Sequence, residues 1–296
     1  MEDILHFDTI KQYSAFNNQD TRHPLVGVID LSLANPRQLR RMRFNFYVVF
    51  LKQVHCGDLR YGCHSYDYEE GTMVFIAPGQ AIGERGTEFY QPKGRALVFH
   101  PDLLLGSPLG QRMNEYTFFS YAANEALHMS TRERELITDC LDKIDAELNQ
   151  LIDKHTQKLL ISNIELLLNY CIRFYDRQFI TRAGVNHGIL ARFEALLHDY
   201  FQDADQDRDG LPSVAHFAEA LFLSPNYFGD LVKKETGKSP QEHIQARVIQ
   251  LAKERLFDSD RTISEIAYGL GFKHPQHFSR MFKKSMGMTP MEYRNN

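Results

Sequence analysis

Residues 224–243 read SPNYFGDLVKKETGKSPQEH, and residues 274–293 read HPQHFSRMFKKSMGMTPMEY. The second stretch repeats the first at an offset of 50 residues without a gap. Pro225/Pro275, Phe228/Phe278, Lys233/Lys283, Lys234/Lys284, Gly237/Gly287, Pro240/Pro290 and Glu242/Glu292 are identical pairs. A repeat of this length marks a duplicated supersecondary unit. Each copy reads as a helix-turn-helix, so the chain carries two candidate DNA-reading helices.

In the first unit Ser213 caps a helix ending near Leu223. Ser224 caps the next, with Pro225 at the first helical position, where a missing N–H is harmless. Phe228, Leu231 and Val232 face the core of that helix. Asn226, Asp230, Lys233 and Lys234 fall on the opposite face at helical spacing, with Tyr227 beside them. In the second unit Thr262 and Glu265 form a capping box, and Gly269 and Gly271 permit the tight turn. Phe278, Met281 and Phe282 point inward, while Gln276, His277, Arg280, Lys283 and Lys284 point outward. Arg pairs bidentately with guanine and Gln with adenine, whereas Lys suits phosphate. Ser239 and Glu242 open a connecting helix that runs to about Phe257. Its buried stripe is Ile244, Val248, Leu251, Ala252 and Leu256, and its Arg247 completes the candidate DNA-facing set. Such a helix spans ~25 Å, enough with its turns to hold two reading helices about one DNA turn, ~34 Å, apart. One unit alone is equally an ordinary helical bundle with solvated charges. The duplicate, with polar readers at matching positions, favours DNA.

Residues 43–100 read as strands, in the runs FNFYVVFL, MVFIAP and RALVF separated by turns at Gly57–Asp58, Gly62 and Pro78–Gly79. Several short strands close together suggest a small sandwich or barrel. The pattern turns helical from about residue 103. Ser130 and Glu133 form a capping box for a helix running to about residue 152. Its Ile137, Leu141, Ile144, Leu148 and Leu151 alternate steps of four and three, the spacing of a coiled-coil seam. That spacing fits either a dimer seam or a helix packed on its own domain. Further helices are expected over about 157–176 and 188–201, followed by a polar linker at 203–210.

The chain has 34 Lys+Arg against 38 Asp+Glu. From residue 208 onward the balance is 13 to 10, against 21 to 28 for the remainder, so a mildly basic end follows an acidic body. That asymmetry fits a nucleic-acid module attached to something else. The four cysteines, Cys56, Cys63, Cys140 and Cys171, form no CxxC pair, and the start MEDILHFD resembles no signal peptide. No apolar run approaches the ~20 residues of a membrane helix. A cytoplasmic protein with free thiols and no membrane partner is the expectation. Asp205, Asp207, Asp209 and Gly210 imitate a calcium loop, but the twelfth position is His216 rather than Glu, and Pro212 interrupts it. His55-Cys56 and Cys63-His64 could approach each other around a turn, yet they match no metal pattern. There is no G-x-S-x-G, P-loop or H-E-x-x-H motif. We therefore expect no enzyme activity, no metal and no cofactor.

The stretches LSPNYFGDLVKKETGKSPQEHI, TISEIAYGLGF and HFSRMFKKSMGMTPMEYR together resemble the AraC/XylS-type bacterial transcription regulators. The resemblance covers residues 211–294. It implies an α+β protein whose all-α C-terminal domain holds seven helices and two helix-turn-helix units. It also implies an N-terminal cupin-like β-barrel or sandwich for effector binding, followed by dimerisation helices. The expected division is 1–125 sensor, 126–202 dimerisation segment, 203–210 linker and 211–296 DNA-binding domain. The implied partners are double-stranded DNA, a small-molecule effector, a second copy of the chain and RNA polymerase. Control by a protein partner or by abundance is the alternative, and a metal-dependent cupin enzyme fused to a DNA-binding tail the more remote one. Family members often place Arg or Gln on the outer face of the first reading helix, where this chain has Gly229 and Asp230. That departure shifts the expected burden of discrimination to Gln276, His277 and Arg280.

Overall fold

The computed structural model describes residues 4–52, 71–83, 86–122, 125–202, 210–257 and 261–295. The chain divides into two compact units, Met1–Thr181 and Arg182–Asn296. The turns at Gly57–Asp58 and Gly62, the His55-Cys56 and Cys63-His64 pairs, and residues 203–209 of the linker lie outside the described residues.

The first unit opens with strand β1 (Leu5–Phe7), helix α1 (Ile10–Phe16), β2 (Val26–Asp30) and β3 (Arg37–Gln38). Next come β4 (Met42–Phe44), β5 (Tyr47–Lys52), β6 (Thr72–Ile76), β7 (Ala81–Ile82), β8 (Phe89–Tyr90) and β9 (Gly94–Phe99). The short helix α2 (Pro108–Gln111) and β10 (Leu127–His128) lead into α3 (Thr131–Leu148) and α4 (Thr156–Thr181). A five-stranded antiparallel sheet has the order β10-β6-β5-β9-β2. Smaller sheets have the orders β1-β4-β7 and β3-β8. The unit is thus α+β, but among the described residues its strands form three separate sheets rather than a closed barrel.

The apolar runs follow from burial on both faces of the large sheet. On one face Val48, Val74, Ile76, Ala96 and Val98 pack with Phe7, Tyr13, Phe44 and Phe46. Those four rings fill the space among themselves, with centroids 5.2–6.2 Å apart. On the other face Phe75 meets Phe118 at 4.3 Å and Tyr175 of α4 at 6.1 Å. A strand covered on both sides has no polar face to alternate with, which is why FNFYVVFL and MVFIAP read as continuous apolar runs. Gln178, buried in α4, closes the edge at β10: it accepts from the His128 amide and donates to the Ala126 carbonyl.

Ser130 and Glu133 make the expected capping box at the start of α3. Of the five residues expected to form a dimer seam, four point inward. Ile137, Leu141, Ile144 and Leu148 are buried within their own unit, where α3 packs on α4. The helix ends at Leu148, short of the expected 152, and leaves Leu151 outside it and exposed. A single apolar stripe cannot face two partners, and here the domain has taken it.

The second unit holds seven helices among its described residues: α5 (Ala183–Gln202), α6 (Val214–Ala220), α7 (Pro225–Thr236), α8 (Pro240–Leu256), α9 (Ile263–Gly269), α10 (Pro275–Met286) and α11 (Pro290–Arg294). The sequence reading puts α5 with the preceding segment. In the structure it belongs with the C-terminal helices, because Phe193 inserts between Phe217 and Phe228 at centroid distances of 5.3 and 5.1 Å. Buried Asn186 adds a polar anchor, donating to Glu235 Oε1 of α7 at 3.0 Å. Among the described residues no helix is long and apolar enough to cross a membrane.

Candidate nucleic-acid interface

Local chemistry builds α7 and α10 as near copies. Each has 12 residues with proline at its first position. Each ends on a glycine in the left-handed conformation, Gly237 with φ 74° and Gly287 with φ 77°. The two glycine amides donate to the Lys233 and Lys283 carbonyls, each at 2.8 Å. This is the αL cap that glycine makes without steric penalty. A Ser/Thr-Pro-x-Glu capping box follows each, Ser239/Glu242 before α8 and Thr289/Glu292 before α11. In both boxes the cap amide donates to the glutamate carboxylate at 2.7 Å, which with the cap hydroxyl holds that carboxyl below its usual range. Thr262 and Glu265 cap α9 in the same way.

The helices before α7 and α10 end alike. Leu223 donates to Ala218 and Phe222 to Glu219; Phe272 donates to Ala267 and Gly271 to Tyr268. Gly271, with φ 92°, makes the turn as expected. Gly269 does not: it is the last residue of α9, and its carbonyl accepts from Arg255 Nη1 at 2.8 Å.

Asn226, Lys233 and Lys234 are exposed on α7 and Asp230 is half-exposed, while Phe228, Leu231 and Val232 are buried. Gln276, His277, Arg280, Lys283 and Lys284 are exposed on α10, above buried Phe278 and Phe282 and half-buried Met281. Two members of the candidate set are placed differently from the rest. Tyr227 is buried, because it follows the N-cap on the inward side of α7. Arg247 is engaged within its own unit, by His198 Nδ1 of α5 at 3.1 Å and Gln250 at 3.2 Å. In the α8 stripe Ile249 is buried and Leu251 only half-buried.

Lys273 and His274, exposed just ahead of Pro275, extend the same surface, and basic residues directly before an N1 proline are a signal that the sequence carries. The His274 and His277 rings meet edge to face at 5.5 Å. No Asp or Glu occurs between Glu265 and Glu292, while Lys273, Arg280, Lys283 and Lys284 do. In α7, by contrast, Asp230 and Glu235 offset Lys233 and Lys234. The α10 surface is therefore the cationic one, offering a guanidinium, an amide and ammonium groups on one rigid helix. Among the described residues no group of three or more His, Cys, Asp or Glu comes together as a metal site would need.

A family model described as a helix-turn-helix domain matches residues 217–296. The chain is 24% identical over 255 residues to the uncharacterized HTH-type transcriptional regulator YobQ of Bacillus subtilis, covering 83% of this chain and 95% of that one. It is 31% identical over 114 residues to the HTH-type transcriptional activator RhaS of Escherichia fergusonii, covering 38% of this chain and 37% of that one. The DNA-binding domain of AdpA, solved in complex with a target DNA, is 23% identical with a TM-score of 0.32, covering 36% of this chain and 89% of that one.

Proposed function

We propose, from the premise that this chain is a DNA-binding transcription regulator of the AraC type, that it reads DNA with two helix-turn-helix units. These are α6–α7 and α9–α10, held by α8 toward the same face of the duplex. The observation that carries this reading is the acid-free row Gln276, His277, Arg280, Lys283 and Lys284 on α10. Arg280 pairs with guanine, Gln276 with adenine, and the lysines with phosphate. On α7, Asn226 reads a base, Asp230 accepts from cytosine, and Lys233 and Lys234 steer toward phosphate.

The N-terminal unit, cupin-like in this proposal, senses an effector. Rings close the space on one face of the large sheet, so we place the effector in the groove of about 910 Å³ beside α1, lined by Lys11, Arg22, His23 and His100 together with Asp8, Asp20 and Asp102. Control by a protein partner or by abundance is the second reading, favoured by the same filled interior. A second copy of the chain and RNA polymerase belong to the proposal as further partners.

Selection of random duplexes by the intact protein tests the DNA-binding reading. Arg280→Ala is expected to weaken binding to the selected duplex by about 1–3 kcal/mol and to relax one base position. Unchanged affinity together with unchanged preference would remove α10 as the reader.

A further inference from the structure

We infer that Phe222 is a DNA-reading residue of the first unit and contacts a thymine 5-methyl group. The inference rests on the reading that α7 faces DNA. Phe222 has φ 59°, and the only other non-glycine residue with positive φ among those described is Asn18. Asn enters that region readily, whereas a bulky aromatic there is a true outlier. The matching position of the second unit, fixed by the same pair of helix-ending hydrogen bonds, is Gly271. Glycine is thus what this turn asks for, and the first unit holds a phenylalanine instead.

The ring is largely unburied in its own unit, with Phe222 69% exposed. Strained backbone combined with an unburied large apolar side chain points to a use outside the fold. Position says which use. Phe222 lies two residues before the cap of α7 and four before Asn226, hence within about 14 Å of it even at full extension. It therefore stands at the N-terminal end of the proposed reading helix, the end from which such helices reach base edges. A phenylalanine can form no hydrogen bond there. The apolar group that a base edge offers in the major groove is the thymine methyl. An apolar reader also suits a helix whose exposed face includes a carboxylate and no arginine.

The test uses the full chain and the duplex that the wild type selects, with each thymine opposite α7 replaced in turn by uracil, which lacks the methyl. The wild type is expected to bind about 4-fold more weakly at one such position, the worth of one buried methyl-sized group. Phe222→Gly is expected to bind about 4-fold more weakly than wild type on the thymine duplex and equally on the two duplexes. It should melt no lower than wild type, because it relieves the left-handed turn. Phe222→Leu should keep part of the discrimination. Wild-type affinity of Phe222→Gly, or a loss that leaves thymine/uracil discrimination intact, would overturn the assignment. So would intact DNA binding with lost transcription in a reconstituted system, which would give the ring to a protein partner. A wild type that selects no sequence would sink the underlying DNA-binding reading.

Discussion

A Cβ on Gly271 would fall 2.7 Å from the Gly210 carbonyl oxygen, and the residue already has φ 92°. Gly271→Ala therefore meets both a backbone clash and the left-handed penalty. It is expected to destabilise the C-terminal unit by roughly 2–4 kcal/mol. Thermal melting of the variant checks this; a wild-type midpoint would mean that the turn can relax by another route. Gly269, two residues away, is helical, so the two glycines of GLG do different work. Its added methyl would approach only Arg255 Nη1, at 3.1 Å, the end of a flexible side chain.

At the scale of the element, the three capping glutamates make helix starts sensitive to acid. Amides of Ser239, Thr262 and Thr289, then their hydroxyls, hold Glu242, Glu265 and Glu292 below the usual 4.5. A depressed carboxyl contributes stability above its unfolded pKa and loses it as pH falls through the folded value. The melting temperature is thus expected to fall as pH drops below the usual glutamate value and through the lower folded one, less steeply when all three are changed to Gln. Equal slopes would show that the caps do not matter to the titration. Helix α3 gives a second element-scale expectation. Ile144 is fully buried, so Ile144→Asp should unfold the N-terminal unit, by at least about 3 kcal/mol, rather than part a dimer. Circular dichroism beside light scattering decides: a folded monomer from a wild-type dimer would restore the seam.

Across the whole molecule, the division at Thr181 and Arg182 sets where the chain can be cut. A fragment of residues 182–296 keeps Phe193 against Phe217 and Phe228, and is expected to melt in one transition and to bind the selected duplex. A fragment beginning at 211 exposes those two rings and should lose cooperative melting. Phe193→Ala in the longer fragment is expected to cost about 3–5 kcal/mol. If the shorter fragment melts and binds as well as the longer, α5 is only a connector.

Helices α7 and α10 are legible in the sequence because their signals are short-range. Proline at N1, Ser/Thr–Glu boxes and C-terminal glycine act within three or four residues, so the 50-residue repeat exposed them twice. The same locality made the apolar runs of β5, β6 and β9 readable as strands. What remained ambiguous was which surface each apolar or charged face would meet. The Ile137–Leu148 stripe fits a partner's helix and its own α4 equally by spacing, and only packing assigned it to α4. Tyr227 sits beside Asn226 in sequence yet on the inward side of the helix. Arg247 looked available until His198, 49 residues earlier, engaged it. The sheets of the N-terminal unit form through pairings such as Val26 with Phe99, whose register no local window contains. Sequence alone settled the helix ends that carry a cap, because hydrogen bonds between near neighbours define them, whereas α3 stops at Leu148, short of the expected 152. Tertiary structure settled the faces, because burial is decided by whichever distant segment arrives there.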